Sequence, residues 1–417
     1  MEIRAPKGTK DITPLDSYRW QYVEGVIRSL CAKYCFSEVR TPVFEHTELF
    51  SRGVGDTTDI VQKEMYTFLD KGERSITLKP EGTASVVRMY IENRLYNEAQ
   101  PTKMYYLSTP VFRYERPQAG RLREHHQFGV EIFGAKRASA DAECIMLALE
   151  LLNTIGIRGL SVRINSIGCP KCRADYNAKL QRYLHDHVDA LCATCRDRLG
   201  RNPLRVLDCK EEACKRICAD APVCLDSLCD ECRAHHEELC GCLDAARVDY
   251  VVDPYIVRGL DYYTKTVFEI VSNDIGAQGT VCGGGRYDLL IEELGGPSTP
   301  AVGFGLGMER LLLVAQNTGV EFPAPEPPDV YVAPVSDEQR QIAFALAFSL
   351  RKAGVKAECE HSGRSLKAQL KFAAKIGARF VAVIGEDEAA AQCVQLKNMG
   401  DGASERVPLC DIAERIR

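Results

Sequence analysis

The fold is decided by Val111-Phe-Arg-Tyr-Glu-Arg-Pro-Gln-Ala-Gly-Arg-Leu-Arg-Glu-His-His-Gln-Phe-Gly-Val-Glu131, whose strand-like ends flank a loop with a proline and a glycine. This pattern predicts an antiparallel hairpin. Gln127, Gly129 and Glu131 alternate along the returning strand and therefore share one face, where the glycine lets a ligand approach the backbone. The region is rich in arginine, which suits phosphate oxygens, although a solvated basic loop is the alternative. These arginines are Arg113, Arg116, Arg121 and Arg123.

A second segment, Gly303-Phe-Gly-Leu-Gly-Met-Glu-Arg310, indicates a glycine-spaced strand that runs into a helix. Arg310 would lie near the helix start, where it could reach an anionic ligand. Alone this signal is weak, because glycine-spaced turns are common in α/β proteins. Two further strand-like segments, Lys103–Val111 and Thr266–Val271, favour an antiparallel sheet that carries an active site.

The composition is that of a soluble globular protein with two or three domains. The 417 residues are 45% hydrophobic and 27% charged, and the formal net charge is -5. That charge argues against a general nucleic-acid binder, so any such contact must come from local basic patches. We find no signal peptide and no apolar run long enough for a membrane span, which predicts a cytoplasmic protein without a membrane partner. The 19 cysteines therefore indicate reduced thiols or metal ligands rather than disulfides.

The proline-rich break Phe322–Pro328 predicts a domain boundary, with one domain at residues 1–325 and a second at 326–417. Within the first, residues 169–245 form a cysteine-rich, helical insertion. The second domain has strand and helix patterns that alternate, which predicts a small α/β domain with a largely parallel sheet. Its strands are expected at Val330–Pro334 and Phe380–Ile384, and its helices at Glu338–Lys352 and Ser365–Lys375.

Together, the two arginine-bearing segments resemble motifs two and three of class II aminoacyl-tRNA synthetases. The resemblance implies an α+β catalytic core around an antiparallel sheet, with ATP and Mg²⁺ bound there. Arg113 would contact the α-phosphate and Arg310 the far phosphates of ATP, with Arg121 and Arg123 beside them. Val39–Glu45 resembles motif one, which builds the dimer interface in that class, so a homodimer is implied.

Two further segments resemble the signature motifs of the histidyl-tRNA synthetase family. They are Val257-Arg-Gly-Leu-Asp-Tyr-Tyr263 and Gly283-Gly-Gly-Arg-Tyr-Asp288. The alternative is that the tyrosines belong to the core and that the second segment is a glycine-rich hairpin turn. By the resemblance, Arg258 stabilises the α-phosphate and the substrate carboxylate. The remaining histidine-binding residues would be Glu81, Gly82, Thr83, Gln127, Glu131, Tyr262 and Tyr263, with Glu131 and Tyr263 on the imidazole and Glu81 and Thr83 on the amino group.

The reaction implied is ligation of L-histidine to the histidine tRNA through a histidyl-adenylate, with release of pyrophosphate and AMP. The C-terminal domain resembles an anticodon-binding domain, and Arg364, Lys367, Lys371 and Lys375 would share a helix face that meets phosphates or is only solvated. Arg116 to Gln118 would approach the acceptor end of the tRNA. Two rival interpretations are a catalytically inactive regulatory subunit of ATP phosphoribosyltransferase, and an RNA binder with the same core.

The insertion contains two Cys-x-x-Cys pairs, Cys169/Cys172 and Cys192/Cys195, with a spacing compatible with one tetrahedral zinc site. A third pair, Cys229/Cys232, and three more cysteines, Cys209, Cys214 and Cys218, follow. Zinc is not part of the general pattern of the family that the chain resembles, where the insertion serves as a clamp on the acceptor stem.

Overall fold

The computed structural model describes residues 2–55, 58–118, 120, 122–272 and 279–416. The chain divides into two compact units, Met1–Pro323 and Ala324–Arg417, and the boundary along the sequence falls within the proline-rich break. Among the described residues, no helix is both long and apolar enough to cross a membrane.

The first unit alternates strands and helices along its length. Its strands are β1 (Ser37–Glu38), β2 (Phe44–His46), β3 (Tyr66–Leu69), β4 (Ser75–Leu78), β5 (Thr102–Phe112), β6 (Glu124–Phe133), β7 (Leu160–Ser166), β8 (Tyr250–Val252), β9 (Thr264–Ser272), β10 (Thr280–Arg286) and β11 (Ala301–Gly307). Its helices are α1 (Ser17–Lys33), α2 (Thr47–Val54), α3 (Thr83–Glu92), α4 (Ser139–Ile155), α5 (Pro170–Asp186), α6 (Ala193–Arg201), α7 (Glu212–Cys218), α8 (Asp230–Ala245), α9 (Leu290–Glu293) and α10 (Met308–Asn317).

The described strands form an eight-stranded sheet in the order β1-β5-β6-β11-β10-β9-β7-β8. The inner pairs are antiparallel, as predicted, and only the two edge pairs, β1 with β5 and β7 with β8, are parallel. A separate small antiparallel sheet has the order β2-β4-β3.

The two faces of the large sheet differ because side chains alternate along each strand. One face buries Phe128, Val130 and Phe304 against α1, α4 and α10. On the other face Glu131 lies opposite Gly303, and Gly129 opposite Gly305. This second face is therefore lined by glycines and a few polar groups, which leaves space above the sheet.

The glycine run at Gly283–Gly285 is part of the inner strand β10, so the alternative interpretation of this segment as a hairpin turn is wrong. A Cβ at Gly283 would lie 2.4 Å from Nη2 of Arg258, and one at Gly284 would lie 2.2 Å from the carbonyl oxygen of Gly303. These glycines provide room for a guanidinium group and for a neighbouring strand rather than for a reversal of the chain.

The insertion is helical, as predicted, and contains α5 to α8. It has a small core of its own, in which Tyr176, Leu180 and Leu184 of α5 pack with Leu199 of α6. The helix α8 returns to the large sheet and packs against α4 and β9.

The second unit contains one described sheet in the order β13-β12-β14-β15-β16. Its elements are β12 (Val330–Pro334), α11 (Arg340–Lys352), β13 (Ala357–Cys359), α12 (Leu366–Lys375), β14 (Phe380–Ile384), α13 (Glu386–Ala390), β15 (Cys393–Asn398), β16 (Ser404–Pro408) and α14 (Ile412–Ile416). The expected parallel arrangement is correct for β13, β12 and β14 but wrong for β15 and β16, which pair antiparallel. The connections that lead into these last strands are too short for a parallel crossover.

Candidate active site

A cleft of about 800 Å³ opens over the glycine-lined face of the large sheet. The sheet and its loops contribute Arg113, Arg258, Tyr263 and Glu269 to its walls. The opposite wall comes from the insertion and consists of Cys192, Ala193, Thr194, Arg198, Arg205, Asp208, Cys209, Lys210 and Glu211. Two of the predicted phosphate-binding arginines, Arg113 and Arg258, therefore face the same space.

Arg113 directly follows the end of β5, and its position is fixed by two hydrogen bonds. Its Nε donates to the carbonyl oxygen of Pro80 at 2.8 Å, and its backbone N–H donates to the carbonyl oxygen of Arg123 at 2.8 Å. The first contact joins the hairpin to the segment that begins α3. The guanidinium is consequently aimed by two different parts of the chain.

Arg258 lies over Gly283 and forms an ion pair with Glu269 of β9, whose other carboxylate oxygen accepts a hydrogen bond from Thr280 Oγ1 at 2.8 Å. Only 20% of each side chain in this ion pair is exposed. Because the pair is partly withdrawn from water, the guanidinium is held in place and has donors left for an anionic ligand.

Arg310 lies in the first turn of α10, as predicted, and its Cα lies 3.3 Å from the point that a Cβ on Gly120 would occupy. The loop of the hairpin therefore contacts the start of the helix that carries Arg310. Arg123 stacks over the ring of Tyr114, 4.1 Å from its centroid, and its Nε donates to the carbonyl oxygen of Glu115. Arg121 lies outside the described residues.

A buried carboxylate, Glu131, lies beside this cleft on β6. Its Oε1 accepts a hydrogen bond from Thr83 Oγ1 at 2.8 Å, and its Oε2 accepts one from the hydroxyl of Tyr287. Burial raises the pKa of Glu131 to about 8, because the ionised form loses its hydration and the two hydroxyl donors restore only part of it.

Three of the predicted histidine-binding residues, Glu81, Gly82 and Thr83, lie at the start of α3, and Glu81 and Thr83 are the two predicted to hold the substrate amino group. The carboxylate of Glu81 accepts the backbone N–H groups of Thr83 at 2.8 Å and Ala84 at 2.7 Å. The N–H of Gly82 donates to Oε1 of Gln127 at 3.1 Å. Burial raises the pKa of Glu81. Glu81, Gly82, Thr83, Gln127 and Glu131 are thus linked by direct contacts.

Tyr262 and Tyr263 complete this pocket, and both residues are buried. Their ring centroids are 4.7 Å apart, and the ring of Tyr287 lies 5.4 Å from that of Tyr262. The expectation that tyrosines here are core residues is also met, since all three belong to one buried cluster. The three tyrosines therefore both pack against one another and line the pocket.

Sequence reasoning missed two residues of this pocket. Tyr287 lies in the glycine-rich segment Gly283–Asp288 but had no predicted role, and Tyr106 of β5 was not singled out. The Tyr106 ring is so close to Gly129 and Gly82 that a Cβ would lie 2.3 Å and 2.5 Å from it. Tyr106 faces Gly129 in the register of β5 and β6, so a strand alignment of the hairpin would have found it.

The cysteines of the insertion form two separate clusters instead of the single expected site. The base cluster consists of Cys169, Cys172, Cys229 and Cys232, and the rim cluster consists of Cys192, Cys195, Cys209 and Cys214. The expected combination of Cys169/Cys172 with Cys192/Cys195 in one site is wrong. The fold brings the first pair to Cys229 and Cys232, and the second pair to Cys209 and Cys214.

Most of the candidate tRNA contacts are exposed, but Arg364 is half-buried. Arg116 and Gln118 lie on the hairpin loop, and Lys367, Lys371 and Lys375 lie on α12. Arg364 differs from the expectation of a common helix face, because it precedes α12. It pairs with Glu360 at 3.2 Å and stacks over Phe372 at 4.3 Å.

The fold and site are those of a class II aminoacyl-tRNA synthetase. They combine an antiparallel sheet that has a glycine-lined face with one arginine on a hairpin and another at a helix start. Residues 8–311 match the family model described as histidyl-tRNA synthetase, and residues 329–417 match an anticodon binding domain. The chain belongs to the histidyl-tRNA synthetase family.

The relatives match along the whole chain. A histidine-tRNA ligase from Caldanaerobacter subterraneus subsp. tengcongensis is 59% identical, and one from Thermoanaerobacter sp. is 60% identical, each over 100% of both chains. The crystal structure of apo S. aureus histidyl-tRNA synthetase superposes with a TM-score of 0.84 at 39% identity and covers 100% of both chains.

Proposed function

We propose that the chain ligates L-histidine to the histidine tRNA in two steps, activation by ATP and transfer to the tRNA. The observation that carries the proposal is the buried Glu131 carboxylate in a tyrosine-walled pocket beside two arginines of the cleft. The full-length likeness to histidine-tRNA ligases supports this function over the regulatory-subunit alternative.

The pocket would select histidine by hydrogen bonding both nitrogens of its imidazole ring. Glu131 would accept an N–H from one nitrogen, and Tyr263 would serve the other. An amino acid without such a donor would leave the buried carboxylate of Glu131 without the hydrogen bond from the ligand, and discrimination against such an amino acid can reach roughly 10⁴-fold. Gln127, Tyr262 and Gly82 would line the pocket, and Glu81 and Thr83 would hold the amino group.

ATP would lie in the cleft with its α-phosphate between Arg113 and Arg258. Arg310, Arg123 and Arg121 would hold the rest of the nucleotide. Magnesium would neutralise charge on the phosphates, and the carboxylates of Glu115 and Glu269, which line the cleft, are ligands of the type that it prefers.

The chemical step needs no nucleophilic side chain. The substrate carboxylate attacks the α-phosphorus and pyrophosphate leaves, so the residues act by positioning the two substrates and by balancing negative charge. Arg258 touches both substrates in this arrangement and is the residue on which the rate should depend most. The ribose hydroxyl at the tRNA terminus then attacks the adenylate carbonyl and releases AMP.

The tRNA would contact both units. Arg116 and Gln118 are exposed on the loop beside the cleft and would meet the acceptor end. The exposed lysines of α12, Lys367, Lys371 and Lys375, would meet tRNA phosphates from the second unit.

We also propose a homodimer. Val43, Phe44, Phe68 and Leu69 are exposed hydrophobic residues in and beside strands of the small sheet. Phe44 and Phe68 share one face of this sheet, and neighbouring exposed apolar side chains favour an interface. Sedimentation equilibrium tests this part, and a monomer at the concentrations used for activity would contradict it.

Histidine-dependent ATP–pyrophosphate exchange tests the activation step. Wild-type protein should catalyse exchange with histidine and with no other amino acid. Arg258→Ala should lower kcat by roughly 10²- to 10³-fold, the usual cost of removing one group that stabilises transition-state charge. Arg137→Ala is the matched control, because its side chain is 82% exposed. No exchange by the wild type would favour the regulatory-subunit interpretation instead.

A further inference from the structure

The base and rim clusters have the geometry of tetrahedral metal sites. All four sulfur atoms of each cluster lie within 4.8 Å of one another. Sγ of Cys169 is 3.6 Å from that of Cys172, and Sγ of Cys192 is 3.9 Å from that of Cys209. Four thiolates bound to zinc at about 2.3 Å lie about 3.8 Å apart, whereas disulfide sulfurs lie about 2.05 Å apart. The observed separations fit metal ligands and exclude disulfides.

The backbone around both clusters stabilises negative charge on sulfur. Cys169, Cys192 and Cys229 occupy the N-cap positions of α5, α6 and α8. The N–H of Cys229 donates to Sγ of Cys172 at 3.1 Å, and the N–H of Cys192 donates to Sγ of Cys214 at 3.3 Å. Such N–H donors and helix starts favour thiolates, the form that binds metal.

The core of the insertion is too small to explain these cysteines by packing alone. It contains fourteen buried residues, of which six are cysteines. Modules with so few large apolar side chains generally need a disulfide or a structural metal to hold one conformation. Cys218 and Cys224 belong to the same core but to neither cluster, so the eight clustered cysteines are distinct from those that only fill space.

We propose that each cluster binds one zinc ion through its four thiolates. Zinc is the metal that closed tetrahedral Cys₄ sites ordinarily take. The base ion would join the start of α5 to the start of α8 and so close the insertion where it leaves and re-enters the catalytic unit. The rim ion would join α6 to the chain around Cys209 and Cys214.

The rim ion would also fix one wall of the active-site cleft, since Cys192 and Cys209 line it. The chain between Cys195 and Cys209 contacts the opposite wall through Asn202, whose Nδ2 donates to Oδ1 of Asp261 at 3.0 Å. Arg205 donates there to the carbonyl oxygen of Gly259 at 2.5 Å. Both acceptors lie just after Arg258 in the chain, Gly259 next to it and Asp261 two residues further on. This consequence rests on the proposed function of the cleft, whereas the metal content does not.

The test measures zinc by elemental analysis in the full chain, purified without chelators and with zinc in the growth medium. The wild type should carry two zinc ions per chain, one for each cluster. Cys172→Ser and Cys195→Ser should each carry one. Cys218→Ala is the matched control, a buried cysteine of the same core outside both clusters, and it should keep two. Replacement of zinc by Co²⁺ in the wild type should give the visible absorption of a tetrahedral tetrathiolate site. This measurement does not depend on whether the cysteine variants fold.

Wild-type protein without zinc, whose eight clustered thiols all react freely with a thiol reagent, would overturn the proposal. Iron in place of zinc would overturn the choice of metal. For the rim ion, Cys195→Ser should raise the KM for ATP at least tenfold in pyrophosphate exchange while Cys218→Ala leaves it unchanged. If a Cys195→Ser protein that carries one zinc ion has the same KM for ATP as the wild type, the proposed effect of the rim ion on the cleft is wrong, whereas the two metal sites are supported.

Discussion

Replacement of Glu131 by glutamine separates the function of this residue from its effect on stability. The carboxylate is fully buried and accepts hydrogen bonds from Thr83 and Tyr287. Glutamine has nearly the same shape but cannot ionise and offers only one acceptor oxygen. The imidazole N–H of bound histidine favours the ionised form of Glu131, and a hydrogen bond to such a charged acceptor contributes about 1.5–3 kcal/mol. At 1.36 kcal/mol for each tenfold change, its loss raises the KM for histidine roughly 10- to 150-fold.

The same substitution should stabilise the protein without ligand at alkaline pH. The pKa of Glu131 is raised to about 8 in the folded protein from 4.5, because burial disfavours the charge. A raised pKa means that the proton favours the fold, so this stabilisation is complete below pH 4.5 and is lost as the pH rises through about 8. Glu131→Gln cannot lose a proton, so its Tm should exceed that of the wild type by a few degrees at pH 9 and match it near pH 5.

The assay pairs histidine-dependent pyrophosphate exchange with thermal unfolding at the two pH values. Glu98→Gln is the control, since Glu98 is exposed. An unchanged KM for histidine would refute the role of Glu131 in the pocket. A Tm gain of equal size at pH 5 and pH 9 would refute the reasoning from its ionisation.

Three further substitutions address the cleft, the hairpin loop and the second unit. Gly283→Ala should lower pyrophosphate exchange at least roughly 10²-fold, because the new Cβ would lie 2.4 Å from Nη2 of Arg258 and would push the guanidinium out of place. Gly241→Ala is the control and should be neutral, since no atom lies within 4 Å of its Cβ. Gln118→Ala should weaken tRNA charging and leave exchange intact, and equal loss in both assays would contradict the assignment. The triple change of Lys367, Lys371 and Lys375 to alanine should weaken tRNA binding. The slope of log K against log salt concentration should become shallower by about 0.7–0.9 for each phosphate that a lysine no longer neutralises. Unchanged binding at low salt would show that this helix face is only solvated.

Elements with a strong local pattern were predicted well from the sequence. The strands Val330–Pro334 and Phe380–Ile384 have the expected bounds, since short apolar runs buried on both faces leave little choice of structure. The hairpin around Arg113 was also predicted, because strand-forming residues flank a loop with proline and glycine. Here local propensity and tertiary structure agree.

The errors arose where tertiary contacts decide the structure. Glycines usually mark turns, but Gly283–Gly285 form an inner strand because Arg258 and β11 approach them closely. Cysteine spacing showed which residues could bind a metal but could not show which pairs meet in space. Tyr106 was missed because an aromatic residue in a strand is typical of a core, and only the register opposite Gly129 places it in the pocket.

The measurement that tests the central claim most directly is acylation of tRNA by the purified full-length chain with ATP and Mg²⁺. Each of the twenty amino acids is supplied in turn, and the ester on the tRNA and the released AMP are measured together. We predict that only histidine is attached, only to the histidine tRNA, with one AMP released for each ester formed. Attachment of another amino acid, or exchange activity without any acylated tRNA, would contradict the account.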